Sequence, residues 1–170
     1  MRWRKYSGMV GGRELIFERE YDFAPVIVWD ALLDSELVSG WLAEAAIEPV
    51  LGGEYNLRWV NRTALALSVG RITLLKPAEL LQVETTSVGR WRFDLAEFEG
   101  GNRGTRTRVV LRVTSDVDPA FEARVKADWH TNLDQLDDLL HGHPVDWANW
   151  DRDRHEAWAR HFDDAANSAS

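Results

Sequence analysis

His130 and Asp134 stand four residues apart, the spacing that puts an imidazole and a carboxylate on one helix face, within reach of general acid and base work. A surface pair on that helix accounts for the same spacing without any chemistry. His141-Gly142-His143 could bring two imidazoles to a metal, but two ligands without a nearby third make a poor site, and the segment reads more simply as a helix end. Gly-x-Ser-x-Gly, a phosphate-binding P-loop, His-Glu-x-x-His and Gly-x-Gly-x-x-Gly are all absent from the chain. With no cysteine among the 170 residues, thiol nucleophiles, Cys-ligated zinc and disulfides are excluded together. No catalytic residue, metal site or cofactor is therefore assigned, and the residues that stand out are aromatic and apolar.

The elements that must position them begin with the chain's size and charge. A length of 170 residues suits one domain with a sizeable core. Residues 1 to 114 hold 15 acids and 15 bases and residues 115 to 170 hold 13 acids and 5 bases, so the whole net charge of −8 lies in the last third. Such a segment opposes phosphate backbones and anionic membranes, and no run of about eighteen apolar residues occurs, so neither nucleic acid nor a membrane is expected as a partner. A soluble, cytoplasmic protein is expected, as monomer or homodimer.

Residues 1–12 read as a loose leader before a first strand from Arg13 to Tyr21. Pro25 suits the first turn of a helix carrying Val28, Trp29, Leu32 and Leu33, and Asp34 can cap a second short helix ending near Trp41. From Ile47 onward the period becomes two, which predicts an antiparallel meander of five more strands. Tyr55, Leu57 and Trp59 share one face, as do Trp91, Phe93 and Leu95, and Thr107, Val109, Leu111 and Val113. Two further strands are expected over Val69 to Leu75 and Leu80 to Thr86. On the opposite face, Arg90, Arg92, Arg106, Arg108 and Arg112 predict a solvated, partly ion-paired surface, with an acidic partner as the alternative. Asp118-Pro119 opens a long helix whose inner stripe is Phe121, Val125, Trp129, Leu133, Leu136 and Leu140, ended by Gly142 and Pro144.

The series Ala24-Pro25, Val28-Trp29, Ala31-Leu32, Trp41-Leu42, Gly52-Gly53, Gly70, Pro77, Gly104-Thr105 and Trp129-His130, with Leu133, Leu136, Leu140 and Gly142, resembles a known family. It is that of stand-alone bacterial proteins related to the C-terminal domain of the activator of the heat-shock-ninety ATPase, the AHSA type. These belong to the SRPBCC, or START-like helix-grip, superfamily. Asp128 stands where many members have glycine. The resemblance implies an α+β helix-grip fold over residues 13–142: a curved antiparallel sheet of about six strands wrapped around the long helix, two short helices after the first strand, and a cavity between. It also implies binding of a lipid or small molecule, with regulation of a chaperone ATPase in a stress response as the alternative. A cyclase, aromatase or hydrolase is a third possibility, in which Tyr55 and Arg58 would polarise a carbonyl. A regular strand cannot turn both of those side chains inward.

Strand alternation then nominates the cavity lining: Tyr55, Leu57, Trp59, Val69, Leu81, Val83, Trp91, Phe93, Leu95, Val109 and Leu111, with Trp129, Leu133 and Leu136 from the helix and Trp41 as a gate at the mouth. Plain core packing accounts for the same stripes. The expected occupant is a hydrophobic or aromatic small molecule. Residues 143–170 carry Trp147, Trp150, Arg154 and Trp158 at helical spacing and are expected as a short helix packed on the domain or on a second subunit.

Overall fold

The computed structural model describes residues 13–59, 67–86, 88–116 and 118–168; the expected leader, residues 1–12, lies outside them. β1 (Arg13–Tyr21) leads into α1 (Pro25–Leu33), whose Pro25 sits in the first turn and whose Val28, Trp29, Leu32 and Leu33 are buried. Asp34 Oδ1 accepts hydrogen bonds from the amides of Glu36 (3.0 Å) and Leu37 (3.1 Å), capping α2 (Ser35–Ser39). There follow β2 (Glu44–Ile47), β3 (Tyr55–Arg58), β4 (Leu67–Ser68), β5 (Gly70–Lys76), β6 (Leu80–Thr85), β7 (Arg90–Glu99) and β8 (Thr105–Ser115). A 3-10 turn, Pro119–Phe121, enters α3 (Glu122–Leu140), and a second, Trp147–Asn149, enters α4 (Trp150–Ser168).

Five strands form one antiparallel sheet in the order β1-β8-β7-β6-β5, and β2-β3-β4 form a second, smaller one. The meander therefore divides between two sheets where about six strands in one were expected. β2 carries two adjacent alanines and β4 is two residues long, so neither leaves a readable alternation. Gly52-Gly53 makes the seam between the sheets. The Gly52 amide donates to the Ile72 carbonyl at 2.8 Å and the Gly53 carbonyl accepts from the Ile72 amide at 2.9 Å. Gly52 has φ +81°, and a Cβ on Gly53 would collide with the Glu48 carbonyl oxygen, so this close approach needs both glycines. A register shift between Ile72 and Leu74 puts a bulge in β5, a device that bends a strand and helps the main sheet curve.

The inner face of the main sheet carries Phe17, Tyr21, Ile72, Leu81, Val83, Trp91, Phe93, Leu95, Val109, Leu111 and Val113, all buried. α3 lies across it, with Trp129, Leu133 and Leu136 buried toward the sheet. Phe121, expected on that inner stripe, is 56% exposed, because the 3-10 turn that holds it breaks the helical phase before α3 begins. The outer face of the sheet is charged and largely paired. Asp94 takes both Arg92 (3.0 Å) and Arg112 (3.3 Å), and Arg108 meets Glu20 at 3.3 Å.

The last segment is a helix of 19 residues, longer than the short one expected, and it packs along α3 on the side away from the sheet. Its approach is pinned by the Val145 amide, which donates to the Gly40 carbonyl at 2.8 Å, and by Trp147 Nε1, which donates to the Ser39 carbonyl at 2.7 Å.

Candidate functional site

One cleft lies between the main sheet and the start of α3. The turn before β7 (Val88), the last residues of β8 (Val113, Ser115), Trp59 after β3 and the first half of α3 enclose a cleft of about 260 Å³. Trp91 forms its floor, 0% exposed, with its Nε1 donating to the Val88 carbonyl at 3.3 Å. Trp59 and Trp129 meet it edge to face, with ring centroids 6.2 and 5.1 Å away and interplanar angles of 79° and 76°. Phe121, Val125, Arg124, Asp128 and Asn132 complete the wall from the helix side. The 3-10 turn before α3 places Phe121, 56% exposed, in the wall of this cleft rather than in the closed core.

Of the residues nominated from the sequence, Trp59, Trp91 and Trp129 border this cleft. Tyr55, Leu57, Leu81, Val83, Phe93, Leu95, Val109, Leu111, Leu133 and Leu136 lie on the expected inner faces but in the closed core, where facing side chains fill the gap. Trp41 is no gate. It is 0% exposed, with Nε1 donating to the Ala31 carbonyl at 2.7 Å and its own carbonyl accepting from Gln135 Nε2 at 2.7 Å. Val69 is 44% exposed, because Ser68 and Gly70 hold the inward positions and put Val69 on the outer face. Val88, Val113, Ser115, Phe121, Arg124, Val125, Asp128 and Asn132 were not nominated. Val113 and Ser115 continue the alternation of Val109 and Leu111 and could have been; Val88 lies in the turn before β7, and the others depend on where the helix starts.

The polar pairs that could do chemistry are elsewhere. Tyr55 is buried, donating from its hydroxyl to the Leu32 carbonyl at 2.7 Å, and burial pushes that phenol far above its ordinary range. Arg58 points to the other side of the strand, 3.6 Å from Glu44. His130 and Asp134 are bridged by Arg19, whose Nη1 donates to Asp134 Oδ1 at 2.7 Å and whose Nη2 donates to His130 Nδ1 at 3.2 Å. His161 of α4 donates from Nε2 to Asp134 Oδ2 at 2.7 Å and stacks on His130. Burial first, then Arg19 and His161, hold the His130 imidazolium below its usual pKa. None of these groups borders the cleft. Among the described residues no three His, Cys, Asp or Glu come together as a metal site, and no helix is long and apolar enough to cross a membrane.

The family described as "Activator of Hsp90 ATPase homolog 1-like protein" matches residues 22–141. The chain belongs to this family. Its fold is that of a ligand-binding or polyketide-cyclase-like domain, and the helix-grip architecture recurs in solved structures. CalU16 from Micromonospora echinospora is 22% identical, with a TM-score of 0.60, and the alignment covers 89% of each chain. A Bordetella parapertussis protein encoded by BPP1335 is 21% identical over 90% of this chain and 84% of its own, with a TM-score of 0.66. MLL2253 from Mesorhizobium loti is 18% identical over 78% of this chain and 100% of its own, with a TM-score of 0.59. At these identities the likeness is one of fold. No curated protein matches the chain.

Proposed function

We propose that the protein binds a small hydrophobic or aromatic molecule in the tryptophan cleft and does not transform it. The observation that carries this reading is the edge-to-face set of Trp59, Trp91 and Trp129 around a cleft of about 260 Å³ between the sheet and the start of α3. Drug-sized sites occupy roughly 300–1,000 Å³, so the cleft suits a compact ligand better than a two-chain lipid. Offset or edge-on aromatic contacts add about 0.5–1.5 kcal/mol each beyond the area they bury, which favours a planar guest. A second depression of about 620 Å³ beside Ser35, Ile47, Glu48, Glu54 and Arg71 is broad, open and charged, and suits such a guest less.

Titration with naphthalene-type probes tests this. A ligand at a hundredfold excess over its Kd stabilises by about 2.7 kcal/mol, and for a chain of this size that raises Tm by roughly 5–10 °C with a change in tryptophan emission. Unchanged emission and Tm across such probes would remove the reading. Regulation of a heat-shock-ninety-type ATPase is the alternative, supported by the family's description. It predicts a changed ATPase rate when the purified protein is added to the chaperone. An enzyme of the cyclase type has less support, since Tyr55 and Arg58 do not converge.

A further inference from the structure

Arg124 and Asp128, the two charged residues of the cleft wall among those described, stand four apart on α3, the spacing at which an arginine and a carboxylate usually pair. Here they do not pair with each other. Asp128 Oδ1 accepts from Trp158 Nε1 of α4 at 2.8 Å, which holds that carboxylate toward the neighbouring helix. Glu122, the nearest acid in sequence, meets Arg13 at 2.8 Å and Lys126 at 3.7 Å. Arg124 is exposed and has no carboxylate partner among the described residues, whereas Arg13, Arg19, Arg92, Arg108, Arg112 and Arg154 each have one.

We infer that the guest of this cleft is a planar aromatic carboxylate, with its ring on the tryptophan floor and its carboxylate on Arg124 at the rim. This deepens the binding reading above and rests on it. A guanidinium presents a rigid fork of N–H donors that fits a carboxylate in two parallel bonds, and an arginine left without an acid keeps that fork open. Ser115 and Asn132 add neutral polar groups to the same wall. A monoanion suits the site better than a dianionic phosphate, because Asp128 lies one turn from Arg124 and opposes a second negative charge. With Arg124 exposed, the ring can be buried while the charge keeps part of its water, which holds the cost of desolvation down.

The test compares 2-naphthoate with 2-naphthamide, which share a ring system and shape and differ in charge, by calorimetric titration of the full chain at neutral pH. The naphthoate is expected to bind on the order of fivefold more tightly, the worth of a charge-assisted pair partly screened by water. High salt should narrow that ratio. Arg124→Gln should bring it to about one with the affinity for 2-naphthamide unchanged, and Arg124→Glu should place the naphthoate below the amide. Arg160→Gln removes the same charge from an exposed position on α4, away from the cleft lining, and should leave the ratio as it is. Equal affinities in the native protein, tighter binding of the amide, or a ratio that survives Arg124→Gln would overturn the inference while the binding reading stands. So would an equal loss in Arg160→Gln, which would assign the preference to net charge. If neither probe binds, both readings fall together.

Discussion

The two long faces of α3 are held by different forces. Toward the sheet it presents Trp129, Leu133 and Leu136, which join an apolar core that needs no partner beyond shape. Toward α4 it presents Asp128, Asp134, Gln135 and Asp138, each met by a named donor from Trp158, His161, Trp150 or Arg154. The first face supplies stability and tolerates volume-conserving change. The second supplies register, since a hydrogen bond to a particular oxygen is lost when the helix slips or the group titrates. One helix thus draws stability from one side and register from the other.

The comparison breaks first where burial is deepest. Leu133→Ala on the sheet face should cost about 2–5 kcal/mol in denaturant unfolding, with little dependence on pH or salt. A loss below 1 kcal/mol, on the order of a surface substitution, would mean that this face is not the main source of stability. On the other face, Trp150→Phe leaves Gln135 Oε1 buried without its donor and should cost about 1–3 kcal/mol. It should also loosen α4, seen as faster amide exchange in that helix with the sheet unchanged. Equal acceleration in sheet and helix would mean that the two faces form one cooperative unit.

The smallest effect sharpens the contrast by pH. His130 faces Arg19 and Phe17 from β1, His161 from α4, and Asp134 and Lys126 from its own helix. Its folded pKa lies below the ordinary 6.5, so between the two values the unfolded chain binds the extra proton. This contribution to stability is present above about pH 6.5 and is lost as pH falls through the depressed folded value. In His130→Gln, whose side-chain oxygen can still accept from Arg19, the decline in Tm between pH 7.5 and 5 should be shallower than in the native protein. A decline equally steep in the variant would assign the acid sensitivity to other groups.

Much of this fold was legible because its signals are local. Pro25 and Asp34 mark helix starts, and alternation in Trp91-Phe93-Leu95 and Val109-Leu111-Val113 marks the inner face, whereas the seam that Gly52-Gly53 makes between two sheets was not legible. The family resemblance rested on a series that includes Pro25 and Gly52-Gly53 and runs to Gly142. The site was harder to read. Alternation names the face to which a side chain belongs, and Trp41 and Val69 show how that falls short. Trp41 went into the core because the Ala31 carbonyl was there to receive its N–H, and Val69 turned outward because Ser68, Gly70 and Ile72 take the inward phase.

By itself, then, the sequence determined most of the inner faces, Val69 and Phe121 excepted, because burial follows a period that two or three neighbours reveal. It also determined that no cysteine chemistry or familiar catalytic motif is present. Only the tertiary structure decided where the inside is left unfilled. That depends on how the turn before β7, the end of β8, Trp59 and the first half of α3 meet around Trp91. A gap is a difference between surfaces brought together from distant parts of the chain, and no local pattern records it.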